Sequence, residues 1–402
     1  MKMNSLKDVP FHKDLMRMQP MNLFPAIVVG GPPHSGKSVL TYSLSMALRK
    51  RNVAHYALRA APDGEGDWTN ETDWPVVERI RRKGQWTSRW VSEVCKAISQ
   101  RHLPLLVDMG GRPTPEQEAI FDQCNYAILL TPSEEQRSVW LAHSHLHNLT
   151  VIADLHTDLH SQNQLVEGSD PIAGTLTGLN RGCEASGPAF DGLVERVAAI
   201  MHFSSAELWQ SHRKIATWIK HTHVLNFDEQ TKSEMNAHGT PIFSDADIDK
   251  ILMDIPKGQS VCLYGRAPAT AYAAIGHRNP VEWLFDVRLG WVSPPMLQLV
   301  RKQYAPRKRA PISYTVEQAP KANKPHRCVL HADIASPPLD IVEAVSVTLP
   351  RLPASSNVVI DGIIPNWLLV AIAHAYRYCA SVSANRPQQQ PVCKADKTQL
   401  LN

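Results

Sequence analysis

The sequence has no uninterrupted apolar run approaching the roughly 20 residues that cross a bilayer as a helix, which argues against a membrane-embedded protein. It also lacks any CxxC pair. The seven cysteines of the 402-residue chain, Cys95, Cys124, Cys183, Cys262, Cys328, Cys379 and Cys393, are scattered. Several lie in apolar runs such as Val261-Cys262-Leu263-Tyr264, so they read as reduced, mostly buried thiols of a cytosolic protein rather than a disulfide framework. Residues 1–24 alternate charged and apolar side chains and lack the apolar core of a signal peptide. A cytoplasmic location is expected. Nor is there a strong excess of charge of one sign: the formal net charge is +4, which neither demands nor forbids a phosphate-rich partner.

The apolar and charged fractions, 43% and 20%, are those of an ordinary globular protein, and the length allows two or three domains. Charge is uneven along the chain. Arg301, Lys302, Arg307, Lys308, Arg309, Lys321, Lys324 and Arg327 face the single acid Glu317. This stretch suits a solvated linker or a nucleic-acid contact equally well. Neither a membrane nor double-stranded DNA is an expected partner.

From residue 25 onward the pattern is strand, tight loop and helix, repeated. Apolar runs at 26–29, 53–58, 103–108, 126–130 and 150–153 predict buried parallel strands. Leu40, Leu44 and Leu48 share one face of a helix predicted over 39–51, and two more helices are predicted at 190–201 and 206–219. The expected fold class is α/β, a mostly parallel sheet covered on both faces, spanning residues 25–219 after an N-terminal extension of 1–24.

Beyond about residue 220 a repeat emerges. A shift of 97 residues lays Pro256 on Pro353, Val261 on Val358, Gly265 on Gly362, Pro268 on Pro365, Ala274 on Ala371, Ile275 on Ile372 and His277 on His374. Both copies read as strand, Gly-x-x-Pro, helix, and duplication is the preferred explanation. The organisation expected is a first copy at 220–300, a basic linker at 301–311 and a second copy at 312–402, the two small α/β copies forming a pseudo-dimer.

Gly31-Pro32-Pro33-His34-Ser35-Gly36-Lys37-Ser38 fits the phosphate-loop pattern G-x-x-x-x-G-K-[ST] in full. Gly31, His34, Ser35 and Gly36 would turn backbone N–H groups toward phosphate oxygens, and the helix that follows adds the positive end of its dipole. Lys37 supplies a point charge and Ser38 a hydroxyl for Mg²⁺, with ATP as the nucleotide. Asp108, at the end of Leu-Pro-Leu-Leu-Val, is placed to complete the metal's water shell, or else to cap the next helix. The loop from Arg59 to Trp68 carries Asp63, Glu65 and Asp67 at alternate positions. It reads as an acceptor site for phosphoryl transfer or as a solvated acidic turn. Arg59, Arg112, Arg137 and Arg181 are all candidates to offset transition-state charge, so none is singled out. His143, His145, His147, His156 and His160 invite a metal reading, but no cysteine completes a set and an exposed His-rich turn is the simpler one.

In the first copy a strand breaks at Gly265, where backbone amides could face an anion, with Arg266 and Pro268 beside it. A second strand, 281–285, delivers Asp286 and Arg288, which share a face. His277, nine residues before Asp286, could lie close to them. Together these groups would suit phosphodiester cleavage; the alternative is a helix-capping histidine and a surface ion pair.

Gly265-Arg266-x-Pro268 at a strand end, a helix, and then His277 with Phe285-Asp286-x-Arg288-Leu289-Gly290 resembles the small CRISPR-associated ring nucleases of type III systems. The runs Gly30-Gly-Pro-Pro-His-Ser-Gly-Lys-Ser38, Pro62-Asp-Gly-Glu-Gly-Asp-Trp68 and Leu103-Pro-Leu-Leu-Val-Asp-Met-Gly-Gly-Arg-Pro113 look like the AAA-like ATPase domain fused to some members. The resemblance implies a homo-oligomer that binds and cleaves cyclic oligoadenylate, chiefly the tetra-adenylate ring, with Mn²⁺ or a similar divalent ion. It implies His277, Asp286 and Arg288 as catalytic residues, Asp286 as metal-holding, and Gly265, Arg266, Pro268, Gly362 and Pro365 as ring-binding. Alternatively the P-loop domain is the enzyme, a kinase or ATPase, and the copies only sense the ring. Val287 departs from the family's proline. In the second copy Asn385-Arg386-Pro387 replaces the Asp motif, so that copy is expected to bind or to support its partner.

Overall fold

The computed structural model describes residues 24–60, 88–110, 115–158, 161–180, 182–217, 219, 223–230, 243–300, 312–319, 327–334, 344, 347–362 and 364–385. The protein is α/β, with mixed, mostly parallel sheets. Asp63, Glu65, Asp67, Arg112, His160, Arg181, the 301–311 linker and Arg386-Pro387 lie outside the described residues. Among those described, no helix is long and apolar enough to cross a membrane.

The N-terminal part contains β1 (Ala26–Gly30), α1 (Lys37–Lys50), β2 (Tyr56–Arg59), α2 (Ser88–Ser99), β3 (Leu105–Asp108), α3 (Pro115–Phe121), β4 (Tyr126–Thr131), α4 (Glu134–Leu146), β5 (Thr150–Asp158), β6 (Gln164–Val166), β7 (Ile172–Thr177) and α5 (Pro188–Met201). The strands form one sheet in the order β2-β3-β1-β4-β5-β7-β6, parallel except for β6. Alternate residues explain the layers. Ile27 and Val29 face Leu40, Leu44 and Leu48 of α1 and Leu193 and Val197 of α5. Ala26 and Val28 face Val94 and Ile98 of α2, Phe121 of α3 and Trp140 of α4. A strand buried on both sides must be apolar at every position, which is why these runs were visible in the sequence. The hairpin of β6 and β7 was not expected; β6 is short and mostly exposed.

The chain continues through α6 (Ser205–Ile215), β8 (His223–Asn226), α7 (Phe227–Gln230), α8 (Asp245–Asp254), β9 (Val261–Tyr264), α9 (Ala269–Arg278), β10 (Val281–Asp286), β11 (Gly290–Val292), β12 (Gln298–Val300), β13 (Ile312–Ala319), β14 (Arg327–Ile334), β15 (Thr348–Pro350), β16 (Asn357–Asp361), α10 (Asn366–Ala375) and β17 (Ser381–Asn385). One four-stranded sheet has the order β11-β10-β9-β8 and another the order β13-β14-β16-β17. In each, three strands are parallel and one edge strand is antiparallel. The 97-residue shift carries α9 onto α10 at both ends, 269 onto 366 and 278 onto 375.

These two helices pack together between the sheets. A methyl group on Gly276 would stand 3.0 Å from the Val370 carbonyl oxygen, so the helix backbones approach closely. His277 Nε2 donates to the Cys379 carbonyl at 3.1 Å, and His374 Nδ1 donates to the Gly276 carbonyl at 3.2 Å. Each shift-related histidine thus crosses to the other copy, and the copies share one core that includes Leu263, Ile275, Ile360, Trp367 and Leu368.

The outer faces of the two sheets differ. Strand β9 is buried along its whole length, whereas β16 alternates buried and half-buried residues. On the first sheet Cys262, Tyr264, Phe285 and Trp291 pack against Trp209 of α6 and against Ala216 and Ile219 just beyond that helix. Under the 97-residue shift Asp361 takes the place of Tyr264, and Ser381, Ser383 and Asn385 on the neighbouring strand are exposed.

Candidate functional site: the loop before α1 and the turns of the first copy

The loop between β1 and α1 needs backbone conformations that ordinary residues avoid. Gly31 has φ +151° and Gly36 φ +86°; a methyl group would meet the Leu130 carbonyl oxygen at 2.2 Å in the first case and Leu179 at 2.5 Å in the second. His34, at φ 64°, is left-handed without being glycine, and its side chain is exposed. Ser35 is buried and Ser38 exposed. Gly36 stands at the N-cap of α1 and has no side chain to cap it, so the first N–H groups of the helix and its dipole point toward the loop.

Lys37 is buried; its Nζ donates to the Pro32 carbonyl at 2.6 Å and lies 3.5 Å from Ser35 Oγ. Burial lowers its pKa from 10.5 to about 8; Asp108 nearby works against that shift and Arg59 adds to it. Asp108 ends β3, whose neighbour in the sheet is β1, and is itself buried. One nitrogen of Arg59, Nη1, donates to Ser38 Oγ at 2.7 Å and to Asp108 Oδ2 at 2.5 Å. A hydroxyl from α1 and a carboxylate from β3 therefore converge on one cationic group. This is the hard oxygen set that Mg²⁺ takes, with water and phosphate oxygens filling its remaining positions, so the residues present fit that ion.

A polar cavity of about 390 Å³ lies beside this loop, lined by residues that include Thr131, Arg137, Asp154, His156 and Thr175. Register places Gly30 opposite Leu129, and Leu129 opposite Asp154. The wall strand β4, with Thr131, is one strand spacing from β1, roughly 5 Å, and β5, with Asp154, is two, roughly 10 Å; no residue of the loop itself lines the cavity. Arg137 is bonded to Asp154 at 2.7 Å and to Glu134 at 2.8 Å. The cavity was not foreseen: Arg137 and His156 were weighed for other roles, and no local pattern joins β5 to the start of α4.

The turns of the first copy differ from expectation. Gly265, at φ +87°, leaves no room for a side chain because Asp228 Oδ1 would lie 2.7 Å from it. That carboxylate accepts from the Arg266 amide at 3.2 Å, so an internal acid already takes the amide expected to face an anion. Burial raises the pKa of Asp228, with the Arg266 amide and charge opposing the rise. Arg266 Nη2 donates to the His55 carbonyl at 3.2 Å, on the edge of the large sheet away from the β1–α1 loop. Pro268 stands at the N-cap of α9, as Pro365 does for α10. Gly362, at φ +140°, lies against the Ala332 carbonyl.

His277 and Asp286 do not converge within the chain. His277 is the last residue but one of α9, just before β10 begins, and Asp286 is that strand's last residue. At about 3.3 Å per residue the five steps from Val281 to Asp286 cover roughly 17 Å, which puts the two at opposite ends of the strand. Asp286 Oδ1 accepts from the amides of Arg288 at 2.8 Å and Leu289 at 3.1 Å, closing the β10–β11 turn. Val287 and Arg288 line a crevice with His102, Leu103 and Leu105 of only about 10 Å³, about the space of one water. Among the described residues no group of three His, Cys, Asp or Glu side chains could hold a metal. With His277 at the other end of the strand and Oδ1 occupied by amides, the donors at Asp286 do not fit the Mn²⁺ expected there.

His212 anchors this junction and was missed. Its Nε2 donates to the His102 carbonyl at 2.6 Å, which leaves Nδ1 to accept from the Tyr264 hydroxyl at 2.8 Å. Its ring also stacks on Phe285, with centroids 4.1 Å apart. In the second copy His331 and Asp361 pair at 2.7 Å across β14 and β16, and Asn385 donates to the same carboxylate at 3.3 Å. Of the His-rich stretch, His143 packs on Phe121 and Trp140, and His147 on Phe121 and, at 2.6 Å, on Asp122.

No protein-family model matches this chain, and a search of curated proteins finds no match either.

Proposed function

We propose that the chain is an ATP-binding P-loop enzyme, a kinase or ATPase, whose two C-terminal copies form a pseudo-dimer that senses a nucleotide ligand. One observation carries this reading: the Ser38 hydroxyl and the Asp108 carboxylate meet on a single cation beside the buried Lys37, at the N-terminus of a 14-residue helix. Loop amides and the α1 dipole bind phosphate oxygens. Lys37 exchanges the Pro32 carbonyl for the outer phosphates. Ser38 and Asp108 would hold Mg²⁺, which when bound offsets charge on the transferred phosphoryl group. The cavity lined by Thr131 and Asp154 has room for a nucleoside. Asp63, Glu65 and Asp67 follow β2 in sequence and are the acceptor-side candidates. The ligand sensed is cyclic oligoadenylate, with the tetra-adenylate ring first among candidates, in type III CRISPR antiviral defence; the motif resemblance supports this.

The test is incubation with γ-labelled ATP, with and without cyclic tetra-adenylate. Free phosphate or a labelled acceptor should form, and Lys37→Met should abolish it. Absence of both nucleotide binding and turnover in the wild-type protein would refute the proposal.

The separation of His277 from Asp286 argues against ring cleavage at a site within one chain and leaves one form of that second reading. The two side chains would have to come from different molecules of a homo-oligomer. His277→Ala and Asp286→Ala proteins, each inactive alone, should then restore cleavage when mixed. Continued inactivity of the mixture, beside an active wild type, would rule this form out.

A further inference from the structure

Arg59 ends β2 at the lip of the β1–α1 loop. Its Nη1 bridges two oxygens from separate elements, Ser38 Oγ on the first turn of α1 and Asp108 Oδ2 at the end of β3. The same two oxygens are the protein ligands that fit a divalent ion at this loop. We propose that the Arg59 guanidinium and the divalent metal compete for this one ligand pair, so that loading the metal expels Arg59.

The physical argument begins with Asp108. It is buried, and a buried carboxylate without a counter-charge is strongly unfavourable. Arg59 supplies that charge and fixes the distance between β3 and α1. A divalent ion at about 2.0–2.1 Å from both oxygens would overlap the space of a nitrogen 2.5–2.7 Å from each. The two cations would also repel at contact distance. Arg59 leaves at least cost as the metal's charge arrives, so the two exchanges are coupled. Arg59 is on this account a positioning residue with two stations.

The inference rests on the nucleotide-binding reading and is tested without nucleotide. Mn²⁺ alone is titrated by electron paramagnetic resonance into the wild-type, Arg59→Met, Arg59→Lys and Arg59→Met/Asp108→Asn proteins, with folding checked by circular dichroism. Arg59→Met should bind Mn²⁺ at least about tenfold more tightly than wild type, and the added Asp108→Asn should remove the gain. Unchanged or weaker binding by Arg59→Met, or a gain that survives Asp108→Asn, would overturn the proposal. Should Arg59→Met not fold, Arg59→Lys decides. Its shorter arm does not carry the ammonium to the place Nη1 holds between the two oxygens, so a gain of about threefold or more is expected and equality with wild type would refute it. If ATP binds to none of the proteins while the Mn²⁺ pattern holds, the nucleotide reading fails and the competition stands.

Discussion

Raising the pH should weaken phosphate binding at the β1–α1 loop through one group, Lys37. Burial holds its pKa at about 8, against 10.5 for an ordinary lysine. A bound polyphosphate favours the charged form and so raises that pKa. The sign follows from linkage: below about 8 Lys37 is already an ammonium and binding needs no proton, whereas above it each binding event must take one up. The dissociation constant should therefore change little from pH 6.5 to 7.5 and then rise toward tenfold per pH unit. Between pH 7 and pH 9 the loss is about tenfold, or about 1.4 kcal/mol. Isothermal calorimetry with Mg-ADP, in buffers of different ionisation enthalpy, reads both the affinity and the proton uptake. Titrating over pH 7.5–9.5 keeps the phosphates themselves fully ionised. A flat affinity with no proton uptake across that range would refute the assignment of Lys37 as the phosphate-binding charge.

Acid should destabilise the fold through two buried imidazoles. Burial lowers the pKa of His55 from 6.5 to about 3 and of His212 from 6.5 to about 4. Their neutral forms fit the fold, so stability is full above about pH 6.5 and is lost as pH falls toward 4, by roughly 2 kcal/mol for each at pH 5. Urea unfolding at pH 7 and pH 5 checks this, and equal midpoints would contradict it. Gly276→Leu should force α9 and α10 apart, because even a methyl carbon there meets Val370 backbone at 3.0 Å. A loss of about 2 kcal/mol or more is expected in thermal unfolding, and an unchanged midpoint would deny the close packing.

Much of the N-terminal fold was visible in the sequence because its strands are covered on both faces. The helix predicted at 39–51 lies at Lys37–Lys50, and the apolar runs at 103–108 and 126–130 contain β3 and nearly all of β4. The strand sought at 53–58 forms later, at Tyr56–Arg59, since Val53 and His55 are spent on the turn after α1. Repeat arithmetic located α9 and α10 because identities cluster on the turn and helix that each copy must rebuild. The candidate site was less visible. The spacing of nine between His277 and Asp286 suggested proximity, but a strand that starts after the helix end carries its own last residue to the far end of the sheet. Asp228 and Gly265 meet from separate elements, as do His331 and Asp361, and no local pattern signals either contact. The fully apolar Val-Cys-Leu-Tyr of β9 did carry a signal: a strand with no polar face is covered twice, here by the sheet's own helix and by α6.

The central claim is that Lys37, Ser38 and Asp108 form a working nucleotide site. Equilibrium binding of labelled ATP with Mg²⁺ to the wild-type and Lys37→Met proteins tests it most directly. Saturable binding by the wild type, weakened at least about a hundredfold in the variant, is the result predicted. Equal binding by both, or none by the folded wild-type protein, would contradict it.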